Sequence, residues 1–352
     1  MKQALMAAGL AAVTALAAGC SSAPGSGGSG GSGSGSSDPV VLRLGFLTNI
    51  THAPALIGIE KGIFAKDLGA NVKLEFKPFS TGTEEGTALL AGQLDAAYVG
   101  PNPAIKAWQT SHGKLIKVIS GAASGGAALV VKKDITSPAQ LKGQKLATPS
   151  LGNTQDVALR YWLKQHHLTT TQTGGGDVPI TPITPNSAAV LQFKSSQIAG
   201  GWEPAPYDIE MVADGGHVLV NEASLWPRGQ FVTTNLVVTQ AFLAAHPATV
   251  NGLLKGQIQA NDYIHSNLSG AEAAANAELT TLLGKGLDPS VLSAAFKEIS
   301  FTDDPVASSL AADAQHAVSV GLLSPLRNIS ALYDIAPLNA LLKAAGEQQV
   351  GS

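Results

Sequence analysis

The chain has 352 residues, of which 45% are hydrophobic and only 13% charged, and its formal net charge is −3 at pH 7. This apolar content excludes a fully disordered protein, and the length is that of about two domains. The 22 Lys and Arg residues form no basic block, which argues against nucleic acid as a partner. The eight histidines and single cysteine lack metal-ligand spacing, so the sequence predicts no metal site and no cofactor.

The N-terminal segment has the pattern of an export signal. Lys2 precedes an apolar run over 7–18, which at about a dozen residues is too short to span a bilayer. The run ends in small residues before Cys20, which resembles the lipobox of bacterial lipoproteins, where the cysteine is lipidated. We therefore predict a signal peptide over 1–19 and a lipid anchor on Cys20, with a plain secretory signal as the alternative. The protein would then sit at the outer face of the cytoplasmic membrane.

A flexible linker follows this signal. Residues 21–37 are almost entirely Ser and Gly, a composition typical of random coil. No later segment reaches about 18 consecutive apolar residues, so we predict no further membrane span. The predicted organisation is a lipidated Cys with its linker over 20–39, lobe 1 over 40–129, lobe 2 over 130–234, and a mostly helical return to lobe 1 over 235–352.

Strands and helices alternate along both predicted lobes. In the first lobe, strands are predicted at 41–46, 72–76, 96–99 and 115–119, and helices at 54–61, 83–90 and 103–110. In the second lobe, strands are predicted at 128–131, 145–148, 179–183 and 198–200, and a helix at 155–166. This order indicates an α/β fold with mainly parallel sheets.

The C-terminal third is predominantly helical. After a strand at 235–238, helices are predicted at 247–266, 271–283, 288–298, 305–320 and 334–345. Two lobes and a helical tail require two crossings, so we predict a hinge near 127–133 and 232–238. Segments 88–101 and 189–204 share one helix, turn and strand plan, so like turns of both lobes are expected to face one cleft.

Three strand-to-helix turns carry the candidate chemistry. Their predicted N-caps are Thr81, Asn102 and Asn153. A helix N-terminus presents unpaired N–H groups and about half a positive charge, so several in one cleft would bind an oxyanion without Lys or Arg. Most capped helices bind no ligand, and only the shared placement of these turns after strands favours a site.

Several motifs share their pattern with a known family. They are Glu60-Lys61-Gly62-Ile63-Phe64, the run over 79–103, Leu141-Lys142-Gly143, the run over 150–154 and Trp202-Glu203-Pro204. Over about residues 41–300 the chain resembles the ABC-transporter solute-binding proteins for aliphatic sulfonates, taurine and nitrate. The resemblance implies a periplasmic-binding-protein type II fold with two lobes, two hinge crossovers and a helical C-terminal tail.

The same resemblance implies the function. A monomeric receptor would capture a small organic oxyanion, an aliphatic sulfonate or taurine, and dock on a membrane permease driven by an ATPase. Alternative solutes are nitrate and a thiamine or riboflavin precursor. An enzyme on the same fold is the alternative class, but the sequence shows no nucleophile–base pair, so we predict no catalytic residues.

The resemblance also places candidate ligand-binding residues in both lobes. They are Ser80, Thr81, Gly82, Gly100, Pro101 and Asn102 in lobe 1, and Ser150, Gly152, Asn153 and Thr154 in lobe 2. Asn49 and His52 lie in the first loop after a strand. His52 is predicted either to donate to an anion or simply to begin a helix.

Trp202 and Glu203 each allow two interpretations. Trp202 would form an apolar wall or lid for an alkyl or aryl chain, or it would pack in the core. A carboxylate facing a sulfonate would repel it. Glu203 is therefore expected either to turn away, to a backbone group or Arg228, or to meet the cationic group of a zwitterionic solute such as an amino-sulfonate.

Overall fold

The computed structural model describes residues 38–351. The predicted signal peptide, Cys20 and nearly all of the linker lie outside the described residues. Within this part the strands are β1 (Val40–Leu47), β2 (Val72–Phe79), β3 (Ala96–Val99), β4 (Ile116–Gly125), β5 (Ala127–Lys132), β6 (Leu146–Thr148), β7 (Ile180–Pro182), β8 (Gly200–Pro204), β9 (Gly216–Asn221), β10 (Val232–Thr239) and β11 (Ile299–Phe301).

Helices connect and cover these strands. They are α1 (Ala53–Glu60), α2 (Ile63–Leu68), α3 (Gly82–Leu90), α4 (Pro101–Thr110), α5 (Thr154–Gln165), α6 (Asn186–Lys194), α7 (Tyr207–Ala213), α8 (Gln240–Ala245), α9 (Pro247–Ser266), α10 (Leu268–Leu283), α11 (Pro289–Glu298), α12 (Ala307–Ser319) and α13 (Ala336–Ala345). In the described part of the chain, no helix combines the length and apolar character needed to cross a bilayer.

The strands form two sheets with one common topology. The sheet of lobe 1 has the order β2-β1-β3-β10-β4-β11, and the sheet of lobe 2 has the order β7-β6-β8-β5-β9. In lobe 1, β1 pairs in parallel with β2 and β3, and β10 runs antiparallel to β3 and β4. In lobe 2, β6 pairs in parallel with β7 and β8, and β5 runs antiparallel to β8 and β9. Each lobe therefore holds one strand, β10 or β5, that enters it from a crossover and runs antiparallel to both of its neighbours.

The chain crosses between the sheets at two connections. It leaves β4 of the first sheet at Gly125 and enters β5 of the second at Ala127, and it returns through residues 222–231 to β10. At Gly126 the backbone has φ +74°, and an added Cβ would lie 2.4 Å from Ile299 Cγ1, so glycine is required there. The predicted boundaries at 129/130 and 234/235 fall inside strands β5 and β10, and the crossings lie earlier in the chain.

Both sheets are covered by apolar side chains on both faces. Along β3, Ala96 and Tyr98 belong to one core cluster, while Ala97 and Val99 belong to the cluster on the other face. The side chains of β5 alternate in the same way between the two clusters of lobe 2. This double coverage explains why the central strands are almost continuously apolar in sequence.

Short elements account for most of the differences from prediction. Helix 247–266 is observed with the predicted bounds as α9, whereas α2, α7, α8 and β9 were not predicted. Strand β4 extends to Gly125, well beyond the predicted end at 119, because its small residues pair with β10 and β11. Short segments have too little periodicity to be recognised without their neighbours.

Candidate functional site

A small cavity lies between the lobes at the carboxyl ends of strands from both sheets. Its volume is about 30 Å³, which corresponds to roughly two water molecules. The lining residues are Leu47, Asn49, Thr51, His52, Ser80, Thr81, Gly82, Gly100, Pro103, Pro149, Asn153, Thr154, Gln155, Asn186, Pro204 and Thr233. Ligands of open α/β sheets collect at this end of the strands, so the position is that of a binding site.

Five helices begin at or next to this cavity. Lobe 1 contributes the first turns of α1, α3 and α4, and lobe 2 contributes those of α5 and α6. Each helix has 8 or more residues, and its first turn presents N–H groups without an intrahelical partner, fewer in α1 and α4, where proline occupies the first turn. Their partial positive charges point to one place, which suits an oxyanion.

Two of the predicted N-caps are observed at the cavity. The Thr81 hydroxyl accepts a hydrogen bond from the Glu84 backbone N–H at 3.3 Å, and Asn153 Oδ1 accepts from the Asp156 N–H at 2.9 Å. Asn153 Nδ2 donates to Gln155 Oε1 at 3.1 Å. These bonds hold the side chains of both turns beside the free N–H groups of α3 and α5, one in each lobe.

His52 is a neutral hydrogen-bond donor in this site. Its Nδ1 accepts from the Leu47 backbone N–H at 3.1 Å, so the proton of the neutral ring is on Nε2. Burial lowers the pKa of His52 to about 3, so the ring is uncharged at neutral pH. The neighbouring Thr51 hydroxyl donates to Asn49 Oδ1 at 2.7 Å, which leaves the Asn49 amide N–H groups as donors.

The cavity contains no formal charge. Its lining includes no Lys, Arg, Asp or Glu, and the polar groups are hydroxyls, amides and the His52 ring. Within residues 38–351, no group of three or more His, Cys, Asp or Glu side chains is arranged to hold a metal ion. The site is therefore equipped to bind an anion through neutral donors and helix N-termini.

Eight of the predicted residues line the cavity and six do not. Those at the cavity are Asn49, His52, Ser80, Thr81, Gly82, Gly100, Asn153 and Thr154. Those elsewhere are Pro101, Asn102, Ser150, Gly152, Trp202 and Glu203. The segments of lobe 1 after β1 and β2 were thus placed more accurately than the turn after β8 in lobe 2.

The turn at 100–103 differs from prediction by two residues. Helix α4 begins at Pro101 with Gly100 as its N-cap, so the prediction of Asn102 as the N-cap was wrong. Asn102 lies inside the first turn, where Nδ2 donates to the Asp313 carbonyl at 3.4 Å. Asn102 and Gly152 line a neighbouring, mostly apolar pocket of about 330 Å³. Pro101 is buried as the first residue of α4.

Trp202 belongs to the core of lobe 2. Its side chain is 0% exposed, its Nε1–H donates to Glu222 Oε2 at 2.7 Å, and its ring lies 6.3 Å from that of Trp162. The prediction of an apolar wall or lid is therefore corrected, and the core alternative describes the observed position. Residues 202 and 203 of β8 point to opposite faces of the sheet, and the face of Trp202 is covered by a core cluster of lobe 2.

Glu203 lies on the other face of β8, also away from the cavity. It is 0% exposed, and neither carboxylate oxygen has a hydrogen-bond partner among the described residues. The ion pairs in this part of the chain do not include Glu203 or Arg228, so both partners predicted for Glu203, a backbone group and Arg228, were wrong. Burial, and secondly the charge of Asp208, raise the pKa of Glu203 well above its ordinary value.

Sequence reasoning missed several lining residues. Asn186 begins α6 and is 5% exposed, and no other described residue forms a hydrogen bond with its Oδ1. Its signal was the pair Pro185-Asn186, which repeats Pro101-Asn102 of lobe 1 at a helix start. Gln155 follows the predicted turn directly and was omitted. Thr233 lies on β10, and nothing in its local sequence connects it to the turns.

The two lobes contact each other around the cavity. The Ser150 and Thr83 hydroxyls are hydrogen-bonded across the cleft at 2.8 Å, and the Tyr207 hydroxyl donates to the Thr48 carbonyl at 3.2 Å. A Cβ added to Gly100 would lie 2.7 Å from Thr154 Oγ1 of the opposite lobe. The structure is thus a closed form in which the lobes leave only a small space.

Fold and site together define a two-lobed α/β protein with a cavity between the lobes. The sequence profile of the NMT1-like family matches residues 35–281, which is more than half of the chain. The protein belongs to the NMT1-like family.

Comparisons with individual proteins agree with this class. The chain is 26% identical over 213 residues to the taurine-binding periplasmic protein of Escherichia coli K12. That alignment covers 59% of this chain and 62% of the relative, so it spans less than two thirds of the relative's length.

Solved structures match over most of the chain. The alkanesulfonate-binding protein SsuA of Xanthomonas axonopodis pv. citri, bound to MOPS, has a TM-score of 0.68 at 17% identity, covering 85% of this chain and 99% of SsuA. The periplasmic nitrate-binding protein NrtA of Synechocystis PCC 6803 has a TM-score of 0.69 at 14% identity, covering 87% and 89%. The predicted two-lobed periplasmic-binding-protein fold is therefore confirmed.

Proposed function

We propose that the protein is the extracytoplasmic solute-binding receptor of an ABC importer and captures a small organic oxyanion between its lobes. The observation that carries this proposal is the convergence of five helix N-termini on one uncharged cavity. Each N-terminus contributes about 0.3–1 kcal/mol when exposed and up to about 2 kcal/mol when partly buried. Together with hydrogen bonds from neutral donors, such a set supports micromolar binding, about −8 kcal/mol.

The solute class we propose is an aliphatic sulfonate, taurine included. The small cavity suits an anionic head group, and the neighbouring apolar pocket, lined by Leu90, Leu151 and Val157, shares Pro103 with it. That pocket would accept a short alkyl chain. The name of the E. coli relative supports taurine, whereas the cavity offers no carboxylate as a counterion for an ammonium group. We therefore expect plain alkanesulfonates to bind with an affinity at least as high as that of taurine.

The alternative solutes have less support in the site. A thiamine or riboflavin precursor carries a flat ring, but the cavity lining contains no Phe, Tyr or Trp on which such a ring would stack. Nitrate would fit the cavity yet leave the apolar pocket unused. The cavity lining contains no charged acidic or basic side chain that would support catalysis. We therefore propose that the protein binds its solute without converting it.

The role as a receptor includes partners and a location. We propose a permease and its ATPase as partners, a monomeric state, and a lipid anchor on Cys20 after removal of residues 1–19. The Ser and Gly linker would then hold the lobes away from the membrane surface. The proposed contact residues are the eight predicted ones at the cavity, together with Asn186 and Gln155.

The proposal is tested by titration calorimetry of the purified protein with ethanesulfonate, taurine, sulfate, nitrate and a thiamine precursor. We expect micromolar binding of the sulfonates and recovery of unchanged solute by NMR. Thermal shifts provide an independent readout, because a ligand that binds only the native state raises the melting temperature. Binding of the flat heterocycle alone would overturn the sulfonate assignment, and binding of none of these solutes would overturn the oxyanion site.

A further inference from the structure

A second pocket lies outside the cleft, where elements of both lobes meet. It is formed by α5 of lobe 2, by the crossover segment 222–226, and by α12, which packs on lobe 1, and its volume is about 280 Å³. The lining residues are Ala158, Tyr161, Trp162, Gln165, His166, Glu222, Leu225, Trp226 and His316. None of them lines the oxyanion cavity, so this is a separate site.

Aromatic rings dominate this pocket. The Tyr161 ring stacks on the His316 imidazole at 3.7 Å between centroids, and the Trp226 ring lies 5.3 Å from the same imidazole. The Trp162 ring lies 4.4 Å from His166. Burial lowers the pKa of His316 to about 4, so this imidazole is uncharged at neutral pH. Three electron-rich side chains thus surround the pocket, and His316 adds no charge to it.

One acidic side chain completes the pocket. Glu222 is 1% exposed; its Oε2 accepts from Trp202 Nε1 at 2.7 Å, and its Oε1 has no hydrogen-bond partner within residues 38–351. No Lys or Arg lines the pocket, and Glu222 takes part in none of the ion pairs of residues 38–351. Burial raises the pKa of Glu222 to about 7, although the hydrogen bond from the Trp202 indole and, to a smaller extent, the Trp226 indole favour the carboxylate.

A second buried carboxyl lies nearby on α12. Asp313 is 2% exposed, and its Oδ2 has no hydrogen-bond partner in the part of the chain that the structure describes. Burial, and secondly the charge of Glu222, raise the pKa of Asp313 well above its ordinary value. Glu222 and Asp313 are thus two buried carboxyls that take part in no ion pair of the described residues, and a positive charge bound beside them would favour their ionised forms.

We propose that this pocket binds a small organic ammonium cation. Electron-rich ring faces together with a carboxylate recognise alkylated ammonium groups, because such ions lose little hydration and interact with several rings at once. A hard inorganic cation would need several oxygen ligands, which the pocket does not supply. Because the site joins elements of both lobes, the cation would also stabilise their contact.

The test uses the full protein and tetramethylammonium chloride as the probe, with sodium chloride at equal ionic strength as the reference. Trp162, Trp202 and Trp226 lie in or beside the pocket and report on it by fluorescence. We expect a saturable change in the millimolar range with tetramethylammonium and none with sodium. The expected dissociation constant is millimolar, about three orders of magnitude weaker than micromolar binding. The proposal would be overturned if both salts produced the same fluorescence change, or if the change with tetramethylammonium did not saturate by about 0.1 M.

Variants separate the carboxylate from the rings. Glu222→Gln should weaken tetramethylammonium binding at least ~10-fold, whereas Glu347→Gln, at an exposed acid, should not change it. Trp226→Leu should weaken binding to a similar degree, and Trp226→Phe, which keeps an aromatic face, should stay within ~3-fold of the parent. The proposal would be overturned if Trp226→Leu and Trp226→Phe weakened tetramethylammonium binding equally. It would also be overturned if Glu222→Gln and Glu347→Gln had the same effect, so the test holds even if one variant proves unstable.

Discussion

The two lobes share one topology but furnish the cleft differently. In both, the third strand of the parallel set, β3 or β8, leads to a turn at the cavity. In lobe 1 that turn is Gly100, and the N-terminus of α4 reaches the cavity directly. In lobe 2 the turn contributes Pro204, while Trp202 and Glu203 are buried behind it. Sheet topology thus determines where a turn lies, and its side chains determine whether the turn presents hydrogen-bond donors to the cavity.

Each lobe nevertheless supplies neutral donors to the same space. Lobe 1 presents Asn49, His52 and Thr81, and lobe 2 presents Asn153 and Asn186. Because neither lobe holds a cation at the cavity, strong binding requires both sets at once. Closure of the lobes and capture of the anion are therefore expected to be coupled.

The largest effect is expected where the lobes touch. In Gly100→Val, the new side chain would collide with Thr154 of lobe 2 and fill the small cavity. We expect at least a ~100-fold loss of sulfonate affinity, about 2.8 kcal/mol, measured by calorimetry. Ala65→Val, at an exposed position of α2 in the same lobe, is the control and should keep full affinity. Equal binding by Gly100→Val would place the ligand elsewhere.

Removal of one helix cap from each lobe tests whether both contribute. Thr81→Ala and Asn153→Ala should each cost about 1 kcal/mol of stability. Each should also weaken sulfonate binding ~10-fold, because the N–H groups at the turn lose their fixed orientation.

The control for the caps lies outside the cleft. Asp288 caps α11 by accepting from the Ser290 N–H at 2.8 Å. Asp288→Ala should therefore lower the melting temperature without changing sulfonate affinity. If it weakens binding as much as the cleft variants, the cap effects are global rather than local.

Glu203 tests the part of lobe 2 that does not reach the ligand. Burial raises the pKa of Glu203, so the folded state holds its proton while the unfolded chain ionises near 4.5. The free energy of unfolding therefore falls as pH rises above that value. Glu203→Gln should raise the melting temperature at pH 8 by ~2 °C or more and change it little at pH 4. Taurine and ethanesulfonate affinities should stay within ~2-fold, and a selective loss of taurine would show that Glu203 meets the ligand.

The smallest effect is expected from pH on sulfonate binding. The pKa of His52 is lowered to about 3, so the ring stays neutral between about pH 5 and 8, where a sulfonate is fully ionised. Affinity measured by calorimetry should therefore be constant within ~2-fold between about pH 5 and 8. A steep increase in affinity towards pH 5 would mean that His52 binds the anion as a cation.

Much of the fold and of lobe 1 could be predicted from sequence. Helix α9 and the capped turns at Thr81 and Asn153 follow from local signals: apolar periodicity, a capping side chain and the first turn of a helix. The α/β order follows from the alternation of these elements. Such signals depend on neighbouring residues only, so they are visible in the chain itself.

Other features depended on the assembled lobes. Sequence alone offered two roles for Trp202 and two for Glu203, because strand alternation says that they face opposite sides but not which side meets the cleft. Thr233 reaches the cavity because β10 returns from the other lobe and pairs with β3 and β4. The pocket around Glu222 likewise joins three segments distant in sequence.

The amino-acid sequence by itself determined the longer helices and strands, the two-lobed class and the capped turns at Thr81 and Asn153. Only the tertiary structure decided which turns share one cavity, that the cavity is uncharged, and that acidic side chains are buried behind it. The physical reason is range: capping and periodicity act over a few residues, whereas burial and the neighbours of a charge depend on chains packed from distant parts of the sequence.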